Sequence, residues 1–231
     1  MSFKSSYVMS LKNLFIVTFS LILFQQSFSQ RNYEGYNKLG ISAGITLFDI
    51  TTSDFNTRQG EGFIAGFTSR GSFRNNFDLI YGMTFLNTKI GILGYSSEGT
   101  TGGFDQQYMN YSISGIQLNF LGSYNIVRHH LSLEFGPILN INGKMKLDSE
   151  QYEDYVIDGF ETTTATDIED ISKVNFHFMG GITAGIEGLR ISGQYQYGVT
   201  NVLNKLNDTN SEKDSFKGHS SMLVIALVLY F

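Results

Sequence analysis

Apolar and polar residues alternate in eight stretches of the chain. In the first, Leu39, Ile41, Ala43, Ile45 and Leu47 share one parity, and Gly40, Ser42, Gly44 and Thr46 share the other. A period of two marks a strand whose two faces meet unlike surroundings. Similar patterning predicts strands near 62–69, 77–85, 116–124, 131–140, 174–186, 189–199 and 221–231. Polar connections separate them: a first loop with Thr51, Thr52, Asp54, Asn56 and Arg58, a turn from Arg70 to Asn76, a Gly/Ser/Thr-rich stretch over about 88–110, a turn at Val127–His130, an acidic segment over about 142–172, the turn Glu187-Gly188, and a polar segment over about 201–218. Long and short connections alternate. The fold class expected is all-β: an eight-stranded antiparallel up-and-down transmembrane β-barrel, with short turns in the periplasm and longer loops outside.

Alternation alone also fits a soluble barrel with its apolar face inward. Three features point the apolar face at lipid instead. No Lys, Arg, Asp or Glu falls on that face within the strands, where a mid-bilayer base would cost about 2–4 kcal/mol. Phe77, Phe85, Tyr124, Tyr195, Tyr197 and Phe231 recur near strand ends, as interfacial girdles require. The opposite face is mostly Gly, Ser, Thr, Asn and Gln, which fill a narrow wet lumen and make a poor soluble core. The last strand is an exception, since Val224, Ala226 and Val228 make its second face apolar too. Pro137 removes a ladder donor and predicts a kink in the fifth strand.

Composition adds limits. The 231 residues include no Cys, one Pro and 25 Gly, with a formal charge of −5. No disulfide framework or thiolate metal site is open to such a chain. The absence of a basic stripe argues against nucleic acid as a partner. Lys4 and Lys12 precede an apolar run from Leu14 to Phe24, and Ser27-Phe28-Ser29 supplies small residues for cleavage. Residues 1–29 are therefore expected to be a secretory signal peptide, and 30–231 one outer-membrane barrel domain. Cleavage removes two lysines and no acid, moving the charge from −5 to about −7.

Several short motifs together resemble the PorT-like outer-membrane β-barrel family of Bacteroidota. They are Ser29-Gln30 at the cleavage site, Gly136-Pro137, Tyr197-Gly198-Val199-Thr200-Asn201, and the closing Leu229-Tyr230-Phe231. Gln117-Leu118-Asn119-Phe120-Leu121 stands where that family carries Pro-Leu-Leu. The resemblance implies a location in the cell outer membrane and, for PorT itself, a link to type IX secretion and gliding. It also implies that Leu227, Leu229, Tyr230 and Phe231 form a C-terminal signal read by the outer-membrane assembly machinery.

Candidate chemistry is sparse. Asp78, Glu134, Glu187 and Arg190 fall on the lumen-facing side near the periplasmic end, and are expected to form an ion-pair cluster that holds the barrel shut. The alternative is a gate whose pair exchange opens a pore. His219 and Ser221 share a parity at the outer end of the last strand. Outer-membrane lipid A deacylases resemble that arrangement, but no acid is clearly placed to orient the His. His177 is expected inside the lumen as a hydrogen-bonded filler. His129-His130 lies in a turn without further ligands, and the acidic segment lacks the D-x-D-x-D-G spacing of a calcium loop. No catalytic, cofactor or metal residue is assigned. The function expected is a non-enzymatic barrel with a structural, adhesive or envelope-interaction role through its extracellular loops. Its expected partners are outer-membrane lipid, the assembly machinery and an extracellular or envelope protein. A small channel or secretion-associated component is the alternative, and a lipid A-modifying acyl hydrolase a remote one.

Overall fold

The computed structural model describes residues 35–96, 106–208, 212–213 and 215–231. The expected signal peptide lies outside the described residues. The described residues form nine strands: β1 (Asn37–Thr52), β2 (Thr57–Arg74), β3 (Phe77–Tyr95), β4 (Gln106–Val127), β5 (Leu131–Leu147), β6 (Val156–Ile157), β7 (Val174–Gly185), β8 (Leu189–Gly198) and β9 (Gly218–Tyr230). Eight of them form a closed antiparallel ring in the order β2-β1-β9-β8-β7-β5-β4-β3, with β3 returning to β2. The two-residue β6 adds to the outer end of β3, pairing Ile157 with Gly94.

Closure leaves no free edge. β1 and β9 pair antiparallel from Gly40↔Tyr230 to Thr52↔Gly218. The outward residues meet along this seam, Ile41 against Leu229 and Ile45 against Ile225. A closed ring satisfies its backbone internally, which a bilayer demands. The outer wall then carries an apolar belt: Ile45, Phe67, Phe120, Phe178, Ile191 and Ile225 are among many large apolar side chains left exposed. A belt so extensive needs lipid against it. Even strand number, an outward apolar belt, short turns at one end and longer segments at the other define an outer-membrane barrel, with the short turns periplasmic.

The strands outrun the sequence pattern. β3 has 19 residues and β4 has 22, against about 10 for a single crossing. Most of the stretch near 88–110 is therefore paired strand rather than loop. The first outer connection shrinks to Ser53–Asn56, and Arg70 to Arg74 close β2 instead of forming a turn. The alternation of outward apolar residues stops where lipid stops. Backbone pairing continues beyond it, because the ladder needs no apolar side chain.

The Pro137 expectation resolves at Gly136. Pairing of β4 with β5 skips Phe120 and Leu121 opposite Gly136 and Pro137, while pairing of β5 with β7 runs through both. The missing donor therefore falls on the β4 side. Gly136 takes φ +154, and a Cβ there would lie 2.5 Å from the Phe120 carbonyl oxygen. Only glycine fits.

Candidate functional site

The lumen has three levels, and each is built from inward residues of several strands. At the periplasmic floor, Arg70 of β2 is the hub. Its Nε donates to Asp78 Oδ2 at 2.8 Å and its Nη1 to Glu134 Oε1 at 3.0 Å. Its Nη2 lies 2.7 Å from Ser123 Oγ, 2.9 Å from Ser132 Oγ and 3.2 Å from Asn125 Oδ1. Asp78 Oδ2 also accepts from Tyr36 Oη at 2.6 Å and Asn125 Nδ2 at 2.9 Å. A planar guanidinium with fixed donors suits this fan of acceptors in a way a lysine cannot. Arg190 of β8 stands beside the hub, and its Nη1 donates to Ser132 Oγ at 3.3 Å. Arg70, Asp78, Glu134 and Arg190 are all buried. Two guanidiniums and two carboxylates cancel, which is the condition for keeping four charges out of water.

The geometry both sharpens and corrects the expected cluster. Asp78, Glu134 and Arg190 do face the lumen floor. Glu187 does not: it sits on the β7–β8 turn, its side chain is 69% exposed, and it pairs with Lys38 at 2.6 Å. A turn residue two positions beyond the strand end escapes the strand's alternation. Lys38 and its neighbour His129 hold the Glu187 carboxyl below its ordinary range, the hydrogen bond from Lys38 contributing most. Arg70 is the residue that sequence reasoning missed. Its parity matches Gly66 and Thr68 on the inner face, so the signal was present once β2 is carried past Ser69.

The middle level is polar and small. Gln117 Nε2 donates to Gln196 Oε1 at 2.9 Å, and His177 Nε2 meets Ser220 Oγ at 3.1 Å. Between this level and the floor lies a cavity of about 50 Å³, lined by Ser42, Thr68, Gln117, Leu121, Glu134 and Gln194, among others. That is room for a water or two and not for a solute.

The outer level is an apolar stopper. Inward residues Ile50, Ile90, Ile92, Met109, Tyr111, Ile113 and Met145 pack with Ile168, Ile171, Leu203, Leu206 and Phe216 from the β5–β7 and β8–β9 segments. Phe160 stacks on Phe216 with ring centroids 5.8 Å apart. Tyr111 Oη donates to the Ala165 carbonyl at 3.0 Å, and Tyr95 Oη to that of Phe160 at 2.7 Å. The apolar inner face of β9 now has its reason. Val224 and Ala226 belong to this stopper, while Ala226 and Val228 also line the cavity beneath it.

The outer segments are also tied by polar contacts. The Glu212 carboxylate accepts from the backbone N–H groups of Glu161, Thr162 and Thr163 and from the Thr162 hydroxyl. These donors, the Thr162 hydroxyl foremost, hold the Glu212 carboxyl down at about 2. Asp54 accepts from Lys213 Nζ at 2.5 Å and from Lys217 N–H at 2.7 Å. Burial pushes the Asp54 carboxyl up, but these lysine contacts outweigh it and hold it below its ordinary range. The acidic segment spends much of its charge the same way. Asp158 accepts from Asn56 and Gln106, Asp167 from Thr164, and Glu169 from Leu147 N–H. Among the described residues no group of three or more His, Asp or Glu is placed to hold a metal ion.

His219 and Ser221 are half-buried on the outer wall. His219 Nδ1 donates to the Gly198 carbonyl at 3.0 Å, and its ring stacks on Tyr197 with centroids 5.9 Å apart. Asp49 lies opposite Ser221 in the β1–β9 ladder, but its carboxylate accepts from Ile50 N–H. The histidine is thus oriented by a carbonyl rather than by an acid.

No protein-family model matches the chain, and no curated protein does. Solved structures do resemble it. Neisserial surface protein A shares 10% identity over 84% of this chain and 97% of its own, with a TM-score of 0.47. Ail, the attachment invasion locus protein of Yersinia pestis, shares 13% over 84% and 99%, with a TM-score of 0.45. OprG of Pseudomonas aeruginosa shares 11% over 84% and 96%, also with a TM-score of 0.45.

Proposed function

We propose that this chain is a closed outer-membrane barrel that acts as a surface platform, with an adhesive or envelope-interaction role carried by its outer cap. The observation that carries this reading is the double seal. An ionic floor around Arg70 closes one end, and an apolar stopper welded to the β5–β7 and β8–β9 segments closes the other. A conduit has no use for both. A rigid outer surface does, since segments that share a core with the barrel are ordered before a partner arrives and lose less freedom on binding. The partner class is an extracellular or envelope protein, and delivery depends on the outer-membrane assembly machinery. The role is non-enzymatic.

Replacing residues 156–171 with a flexible Gly/Ser linker tests the platform. The barrel should still show heat-modifiable gel mobility, while attachment of cells carrying it to host or neighbouring cells should fall to the level of a deletion strain. Unchanged attachment with a folded barrel would overturn the reading. A lipid A profile altered by Ser221→Ala would overturn its non-enzymatic part.

A secretion-associated role is the second reading. It is supported by the resemblance to PorT-like barrels at Gly136-Pro137, Tyr197–Asn201 and Leu229–Phe231, three motifs that fall on β5, the end of β8 and the closing seam. A deletion strain with undiminished export of large surface proteins would remove it.

A further inference from the structure

One sector of the outer wall changes character abruptly. On β3, β4 and β5 the apolar belt ends in a single register row, Phe85↔Ile116↔Ile141. Asn87 and Ser114 follow on the outward face, joined by a 2.7 Å hydrogen bond. The next row is Lys89↔Ser112↔Lys146. Lys144 of β5 and Arg58 of β2 flank it. All four cations are exposed. Arg58 lies flat across Gly91, its guanidinium 4.7 Å from the Tyr108 ring centroid and its Nη2 3.5 Å from Asn110 Oδ1. Three acids of the described residues stand at the same sector: Asp148 takes Lys89 Nζ at 2.8 Å and Ser112 Oγ at 2.5 Å, Glu169 accepts from Leu147 N–H beside Lys146, and Glu61 is exposed on β2, which leaves the four cations in excess. The side chains of Lys144 and Lys146 enter none of the ion pairs among the described residues.

We infer that this sector binds the phosphorylated headgroup of an anionic glycolipid in the outer leaflet. A strand advances about 3.3 Å per residue. Ile141 to Lys144 and Lys146 therefore spans about 10 and 16 Å along a tilted strand, which sets the ammonium groups in the headgroup zone just above the hydrocarbon. Acyl chains lie against Phe85, Ile116 and Ile141, and the phosphate meets the lysines above them. Asn87 and Ser114 supply hydrogen-bonding groups for sugar hydroxyls between these levels, with Ser112 in the lysine row and Asn110 above it. The paired Lys89–Asp148 couple stands in the middle of the site, and Lys144 and Lys146 at its β5 edge supply net positive charge. Arg58 on Tyr108 closes the other edge with a pre-positioned guanidinium.

This inference rests on the outer-membrane orientation proposed above and not on the adhesive role, so an attachment assay that fails leaves it standing. The test uses the full barrel refolded in detergent and titrated with bis-phosphorylated lipid A, its dephosphorylated form, and phosphatidylcholine, with bound lipid counted by native mass spectrometry. Wild type should prefer bis-phosphorylated lipid A at least tenfold over the other two. The combined variant Arg58→Gln, Lys89→Gln, Lys144→Gln and Lys146→Gln should lose that preference, whereas Lys205→Gln, a lysine paired with Asp208 elsewhere on the outer side, should keep it. Heat-modifiable mobility confirms that each variant is folded. Equal preference in wild type and the combined variant would overturn the inference. So would a combined variant that keeps lipid A but loses a soluble sulfated polysaccharide, which would make the sector a site for soluble polyanions.

Discussion

Arg70 and Glu134 lie 64 positions apart in sequence, and their side chains meet at 3.0 Å across the lumen floor. Together with Asp78 at 2.8 Å from the same guanidinium, they convert a ring of strands into a closed vessel.

Removing the hub should expose its role. Arg70→Ala leaves two buried carboxylates facing only Arg190, and should destabilise the barrel by about 3–5 kcal/mol. The quadruple change Arg70→Met, Asp78→Asn, Glu134→Gln, Arg190→Met removes all four charges together and should recover most of that loss. Urea unfolding in detergent, followed by gel mobility, measures both. A single variant as stable as wild type would show that the cluster bears no weight.

Conductance separates a plug from a gate. The wild-type chain in a planar bilayer should pass no ions, because both seals lie in series. Glu134→Ala should remain silent as well, since the apolar stopper is untouched by a change at the floor. Conductance that rises in Glu134→Ala alone would make the floor the gate and the stopper irrelevant.

The Glu212 clasp carries a pH dependence. Its carboxyl titrates at about 2 in the folded chain, against about 4.3 for a free glutamate. A depressed folded value means that the clasp is fully made above about pH 5, weakens as pH falls, and is lost below its folded value. Amide exchange at Thr162 and Thr163 should therefore stay slow at neutral pH, after correction for intrinsic rates, and quicken in Glu212→Ala. Equal protection in the variant would mean that the stopper alone holds these segments together.

Gly136 and Gly180 make a matched pair for testing backbone strain. An alanine at Gly136 meets the Phe120 carbonyl at 2.5 Å with φ +154, whereas one at Gly180 meets nothing within 4 Å. Gly136→Ala should cost about 1–3 kcal/mol, and Gly180→Ala should be neutral. The fraction of assembled barrel after refolding reads the difference.

The closing seam predicts an assembly defect. Tyr230 N–H donates to the Gly188 carbonyl and Phe231 N–H to that of Leu39, each at 2.8 Å. Tyr230 turns inward above the floor, lining the cavity there, while Phe231 points outward. Deleting both residues should lower the yield of inserted barrel. Wild-type yield would show that Leu227 and Leu229 suffice for the seam.

By itself, the sequence determined the ring. Period-two alternation with a charge-free face is a local property, set by each side chain's fixed side of its own strand, so strand number, pairing order and lipid-facing surface were legible at residues such as Ile41, Phe120 and Ile225. Asp78, Glu134 and Arg190 were legible for the same reason. Glu187 was misread because a turn frees a side chain from strand parity, and Arg70 was missed because β2 continues after its outward pattern fades. Tertiary structure alone decided the two seals. The floor depends on side chains from β2, β3, β5 and β8 converging inside a narrow cylinder, and the stopper on distant segments around Ile168, Leu203 and Phe216 folding back over Val224 and Ile90. Neither meeting has a local period. Each exists because closing the ring forces buried charges to find partners and apolar side chains beyond the membrane to find each other.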